Sequence, residues 1–238
     1  CIDEGIKGYR DKALKIAEEQ GNKNGILSNL GNIGNFYKEL GENAKALDFH
    51  LKALKIAEEL GDKVLQAKTF NNIGEVYLSQ INYPKALDYY FKGLKMSEEI
   101  GGKKGIAIVL NNIGNVYVEE RNYPKALDYF LKALKLFEEL GNKSMIAIGF
   151  SNIGFLYTKT AENQPTQQLR KARLKDAEKY LKRAIAINDS IGALGGLTQS
   201  YEFISQLYDT TARIAMSSMQ YAIATENFKL SMLYYKKA

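Results

Sequence analysis

Apolar residues recur along the chain at three- and four-residue spacing, interrupted at regular intervals by short polar breaks. One stretch carries Ile106, Val109, Leu110, Ile113, Val116 and Tyr117. After a break come Ala126, Leu127, Phe130, Leu131, Leu134 and Leu136. That spacing predicts amphipathic α-helices. The break reads Arg121-Asn122-Tyr123-Pro124. Asn122 suits an N-cap, where a side-chain oxygen accepts from an orphan amide, and Pro124 suits the first turn, where its missing N–H costs little. Gly141, at the far end, suits the left-handed position that closes a helix, and Gly21, Gly61, Gly101 and Gly192 take the same place. The chain therefore reads as helix–turn–helix units with connections of about two to four residues.

The units repeat. Residues 71–110 and 111–150 align without gaps and agree at 24 of 40 positions. Residues 31–70 fit the same frame, and 1–30 fit its last three quarters as a partial unit. The unit 151–200 opens in register, but its second helix is expected to resume at Lys175, 11 residues late. The irregular last unit, 201–238, has Tyr208 in place while the segment 221–228 arrives 7 residues late. Those lengths are close to three and two helical turns, so both insertions are expected to lengthen helices without rotating their faces, with a break near Pro165. Self-similarity at a fixed period means a solenoid, a single array in which each unit buries its apolar face against its neighbours. Small residues have a steric task in it. Gly34, Gly74, Gly114 and Gly154 are expected to let two helices approach, with Ala46, Ala86, Ala126 and Ala177 opposite and Tyr37, Tyr77, Tyr117, Tyr157 and Tyr208 as bulky partners.

The period alone fits the HEAT and armadillo classes as well. The residues separate them: Leu110-x2-Ile113-Gly114-x2-Tyr117, then Ala126-x3-Phe130 and Ala133, resemble the tetratricopeptide repeat. Leu stands where that repeat often has Trp, the closing Pro is absent, and the second helix runs about six residues longer than in the common 34-residue unit. The resemblance implies an all-α, right-handed α–α superhelix of about five units after one N-terminal helix. It also implies a concave groove lined by the first helices. There Asn32, Asn72, Asn112 and Asn152 occupy one position, with Asn35, Asn71, Asn111 and Asn115 beside them. An amide both donates and accepts, so such a ladder can hold a peptide backbone irrespective of its sequence. The same amides equally serve to bond neighbouring helices of the array. The basic clamp by which related co-chaperones hold a terminal carboxylate is absent, since Gly31, Asn71, Asn111, Ser151 and Glu202 stand at its positions.

The phrasing of the repeats is similar to two groups of longer tetratricopeptide units: spindle-orientation adaptors, and the sensor regions of bacterial membrane histidine kinases and related cyclases. Two readings follow. The first is a scaffold that captures a protein or peptide segment in its groove. The second is the ligand-sensing input domain of a membrane kinase or cyclase.

Composition narrows the chemistry. An apolar fraction of 45%, a charged fraction of 25% and three prolines argue against disorder. No apolar run approaches the roughly 20 residues that cross a bilayer. The chain opens with Cys1 in the approach to a helix, which reads as a piece cut from a longer chain, a lipidated mature terminus being the other reading. Neither the cytoplasm nor the periplasmic part of a membrane sensor is singled out. One cysteine and one histidine argue against a metal site, and no cofactor is expected.

His50 falls where Tyr90 and Phe130 stand in later units, on the buried side of its helix, which predicts a core histidine. The tyrosines fall at packing positions, and Gly101–Gly105 is a turn with no strand before it. The carboxylate pairs Glu98-Glu99 and Glu138-Glu139 recur at one place and read as surface residues. An enzyme is not expected.

The net charge of +6 is concentrated: between Lys159 and Arg183 eight basic residues face three acidic ones. Arg170, Lys171, Arg173 and Lys175 are the candidate patch for an anionic partner, an acidic protein or lipid headgroups, and are too small a footprint for nucleic acid. The apolar end unit, with Phe228, Leu230, Met232, Leu233 and Tyr234, is expected to pack on a further helix or a second chain, giving a homo-oligomer.

Overall fold

The structure is a computed structural model that describes residues 12–217 and 220–238. Cys1 and the opening of the partial unit lie outside the described residues. Every predicted apolar stripe that falls on described residues forms a helix. A first helix, α1, covers 12–19. It is followed by α2 (Lys23–Glu39), α3 (Asn43–Glu59), α4 (Lys63–Ser79), α5 (Tyr83–Glu99), α6 (Lys103–Glu119), α7 (Tyr123–Glu139), α8 (Lys143–Ala161), α9 (Gln167–Ser190), α10 (Leu194–Ser217) and α11 (Tyr221–Tyr235). No strand occurs among the described residues, so the fold is all-α and built of helix–turn–helix units.

Local chemistry explains the regularity. From α2 to α7 each helix has 17 residues and each connection three. The Asn82 and Asn122 side chains accept from the Lys85 and Lys125 amides at 3.3 and 3.4 Å, with Pro in the first turn of each helix. Between units, Gly21, Gly61, Gly101, Gly141 and Gly192 hold the left-handed conformation. Within units the turn uses that conformation as well. Gly41 has φ 75°, but Ile81 and Arg121 take its place one and two units later, at 59° and 57°. A β-branched residue there is strained.

Contacts divide the chain into two compact parts, residues 1–116 and 117–238, with the division inside α6. In the first part Ile33, Tyr37, Ala46 and Val76 form one buried cluster, and Leu27, Leu30, Ala53 and Ala57 another. Burying each large aliphatic side chain contributes about 1.5–3 kcal/mol. The small-residue slots are filled by the partner helix. A Cβ added to Gly34 would lie 2.7–2.9 Å from the His50 ring, and one on Gly74 2.6–3.0 Å from that of Tyr90. His50 is fully buried on α3 as a core residue, and neither ring nitrogen has a partner. Burial, followed by the charge of Lys38, lowers its pKa to about 4, against an opposing pull from Glu75. The expected tyrosine contacts are stacks between the two helices of a unit: Tyr37 on Phe49 and Tyr77 on Tyr89, each with ring centroids 5.4 Å apart.

In the second part the 11 extra residues are shared: two on α8, two in the connection 162–166 and seven on α9, which has 24. The break falls around Pro165 as expected, with Thr166 capping α9 through the Leu169 amide. The expected restart at Lys175 is eight residues too late. α9 begins at Gln167, because a hydroxyl cap and the good helix formers after it carry the helix back to the connection. The 7 residues of the later delay match the difference between α10, with 24 residues, and the regular 17.

Leu174, Ala177, Leu181, Ile204, Leu207 and Tyr208 share one buried cluster. Here the small-residue slot at Gly154 is filled by Leu181, 2.7 Å from where a Cβ would stand, with the Ala177 carbonyl at 3.2 Å. The apolar end helix divides. Leu230 and Tyr234 pack onto this cluster, Tyr234 stacking on Tyr208 at 5.6 Å, whereas Phe228, Met232 and Leu233 are exposed.

Candidate peptide-binding groove

The asparagine series lies on the first helices of the units. Asn32 is exposed and Asn35 half-buried on α2. On α4, Asn71 is buried and Asn72 half-buried; on α6, Asn111 is buried while Asn112 and Asn115 are half-buried. Asn152 is half-buried on α8, in the second part of the chain. Two members of the series meet directly: the Asn112 side chain donates to Asn71 Oδ1 at 2.9 Å. Asn71 in turn donates to Glu75 Oε1 at 2.9 Å, and the other oxygen of Glu75 accepts from Lys38 Nζ. A polar chain thus runs across α2, α4 and α6, and part of the series bonds neighbouring helices to each other. Glu75 and Lys38 were not marked by the asparagine pattern. Glu75 stands at the position of Asn35 and Asn115, so the break in the column was the available signal.

Beside this chain α4 and α6 enclose a cleft of about 710 Å³. Asn71 and Asn72 form part of its wall. Val64 and Ala67 of α4, Ile108 and Val109 of α6, and Ile100 after α5 make it mostly apolar, and Lys68 and Lys104 stand at its edges. An apolar cleft with a few convergent polar groups is the usual form of a binding site.

The basic stretch is largely used by the fold. Arg170 donates from Nε to the Gln164 carbonyl at 2.9 Å, tying the connection to α9. The Arg173 guanidinium lies 4.5 Å from the Tyr157 ring centroid, and that of Arg183 lies 4.1 Å from Phe150. Lys171 and Lys175 flank a smaller cleft of about 190 Å³ with Leu207 and Tyr208. The carboxylate pairs are surface residues, as expected. Glu59 and Glu99 bridge to Lys23 and Lys63, which open the preceding helix, at 3.1 and 2.7 Å, and half-exposed pairs of this kind contribute little. Among the described residues no group of His, Cys, Asp and Glu is placed to hold a metal ion, and no helix is long and apolar enough to cross a membrane.

Paired helices, constant in length from α2 to α7, with Gly/Ala slots and short left-handed turns define a helical repeat protein. Two models of the tetratricopeptide repeat match the sequence, over residues 25–99 and 107–140. The chain is a tetratricopeptide repeat protein.

Solved structures share the fold at low identity. BtubC (BKLC) from P. vanneervenii is 18% identical with a TM-score of 0.74, covering 98% of this chain and 91% of its own. Aspartyl phosphate phosphatase F from Bacillus subtilis is 15% identical with a TM-score of 0.66, covering 87% of this chain and 59% of its own. A signal transduction ATPase with numerous domains and a tetratricopeptide repeat sensor, from Pyrococcus horikoshii, is 19% identical with a TM-score of 0.62. It covers 97% of this chain, which spans 37% of its length. A search of curated proteins finds no match.

Proposed function

We propose that the chain is a protein-binding repeat scaffold that captures a partner segment on the face formed by its first helices. The observation that carries this reading is the apolar cleft between α4 and α6, with the amides of Asn71 and Asn72 in its wall. Asn32, Asn72, Asn112 and Asn152 are the leading contacts, with Asn35, Asn71, Asn111 and Asn115 beside them. Binding is noncovalent and requires no cofactor or catalysis. Asn112 also holds Asn71, so Asn72 is the cleaner target. Asn72→Ala is expected to weaken capture while leaving helicity and the unfolding midpoint unchanged, and adding Asn112→Ala to abolish it. Capture retained by the double variant would move the site off this face, with Lys171 and Lys175 as the next place to test.

The likeness to the Pyrococcus horikoshii ATPase, whose tetratricopeptide repeats are described as a sensor, favours a second reading: a ligand-sensing input domain of a larger signalling protein such as a bacterial membrane histidine kinase or cyclase. The coding sequence on either side of this segment tests it. A membrane helix followed by a kinase or cyclase domain would support the sensor, and a second copy of the chain held through the exposed face of α11 would appear as a dimer in light scattering.

A further inference from the structure

A repeat supplies its own control. A residue present in every unit is explained by what every unit needs, and one found in a single unit is free to select a partner. Most lysines of the regular units are of the first kind. Lys52, Lys92 and Lys132 each bond an aspartate one turn earlier at 2.7 Å and cover the ring of Phe49, Tyr89 or Tyr129. Lys45, Lys85 and Lys125 likewise cover the rings of Tyr37, Tyr77 and Tyr117.

Lys68 and Lys104 are of the second kind. The position of Lys68 is Ser28, Ile108 and Ile148 in the other units, and that of Lys104 is Asn24, Val64 and Ser144. Neither has a carboxylate three or four residues away along the chain. Lys68 has Val64, Leu65, Asn71 and Asn72 at those spacings, and Lys104 has Ile100, Gly101, Ala107 and Ile108. Both are exposed and both line the α4–α6 cleft, which has no acidic residue in its wall. The one carboxylate in the adjoining polar chain, Glu75, is already bonded by Lys38 and Asn71.

This cleft is therefore lined by apolar side chains and two lysines, with no acidic residue in its wall to meet them. Isolated lysines beside an apolar surface bring no stability to the array. Resting on the groove reading above, we infer that the occupant is an acidic–apolar peptide segment of a partner protein. Its apolar side chains sit on Val64, Ile100, Ile108 and Val109, a carboxylate meets each of Lys68 and Lys104, and the Asn72 amide meets its backbone. Charge at such a rim sets partner choice and association rate more than total affinity.

The test is selection of a phage-displayed random dodecapeptide library on the full chain, followed by affinity measurement on the enriched peptides at low and high salt. Peptides with two or more Asp or Glu flanking apolar residues are expected to dominate. Lys68→Glu with Lys104→Glu is expected to weaken them by about tenfold or more, and repeated selection on that variant to favour basic peptides. Lys55→Glu with Lys95→Glu, an equal charge change at exposed lysines of α3 and α5, is expected to shift affinity by no more than about twofold, setting aside long-range attraction. Enrichment of neutral or basic peptides that still depend on Asn72 would overturn the acidic preference and leave the groove reading standing. No enrichment, or enrichment indifferent to Asn72 and both lysines, would overturn both. Tighter binding of single-stranded oligonucleotides than of any peptide, lost in the Lys68/Lys104 variant, would overturn the peptide as occupant.

Discussion

Where the first helices face the next unit, residues 1–116 place Asn71 and Asn112, and residues 117–238 place Ser151 and Ser200. The amides bond across at 2.9 Å beside an open cleft. The two hydroxyls meet at 3.0 Å with Ser200 fully buried, and Asn188 of α9 donates to it at 3.2 Å. The steric slots differ in the same direction. Gly34 and Gly74 face the polar rings of His50 and Tyr90, and Gly154 faces the aliphatic Leu181. Buried side-chain atoms without a partner, among the described residues, all lie in the first part: Asn43 Oδ1, both nitrogens of His50 and Tyr90 Oη. One helical frame thus carries two kinds of interior. Among the described residues the second part leaves no buried side-chain N or O atom without a partner, and the first places amides, lysines and apolar surface on a cleft.

The comparison can be broken most forcefully at the slots. Gly154→Leu puts a side chain where even a Cβ meets Leu181 and the Ala177 carbonyl, and should cost about 3 kcal/mol, read as a fall in the urea midpoint. An unchanged midpoint would contradict the close approach of α8 and α9.

The next effect is at His50. Its pKa is lowered to about 4 in the fold, so the unfolded chain takes up a proton near pH 6.5 while the folded chain stays neutral. Its contribution is complete above about pH 6.5 and is lost as the pH falls toward 4, by about 2–3 kcal/mol. His50→Phe should remove that part of the pH dependence and raise stability, since Phe130 fills the equivalent site and no ring nitrogen is left unpaired. Parallel pH–stability curves for the two proteins would contradict this.

Ser200→Ala leaves Ser151 without its hydroxyl partner and Asn188 without its acceptor, and should cost about 1–2 kcal/mol. Asn71→Ala, beside the open cleft where water reaches Asn112, should cost less than half of that. Equal losses would erase the contrast between the two polar contacts.

The smallest effect is at the turn. Ile81 is 71% exposed and strained at φ 59°, so Ile81→Gly should stabilise by about 0.5–1 kcal/mol, while Gly41→Ile should reverse the sign. Thermal unfolding of both variants measures the pair.

Much of this was legible in the sequence. Helical spacing, Asn caps, closing glycines and Gly/Ala slots act over a few residues, and the 40-residue period showed each of them several times. Placing His50 in the core needed only the alignment with Tyr90 and Phe130. Ile81 and Arg121 were not read as left-handed residues, because the turn signal looked for was glycine, although Gly41 stood at the same position. The repeat frame puts the exposed Glu202 in the column of Ser151, while the buried Ser200, two residues earlier, makes the contact, since register within the lengthened helices is set by packing. The asparagines form a repeated ladder, yet Lys68 and Lys104, which also line the cleft, stand at positions that differ from unit to unit. Such residues carry no periodic signal.

The most direct measurement places a photo-crosslinking amino acid at position 72, in the cleft wall, and in a second protein at Phe91, exposed on α5. Each is irradiated with a peptide selected on the unmodified chain. The account predicts a covalent adduct from position 72 and none from position 91. An adduct from 91 alone would contradict it.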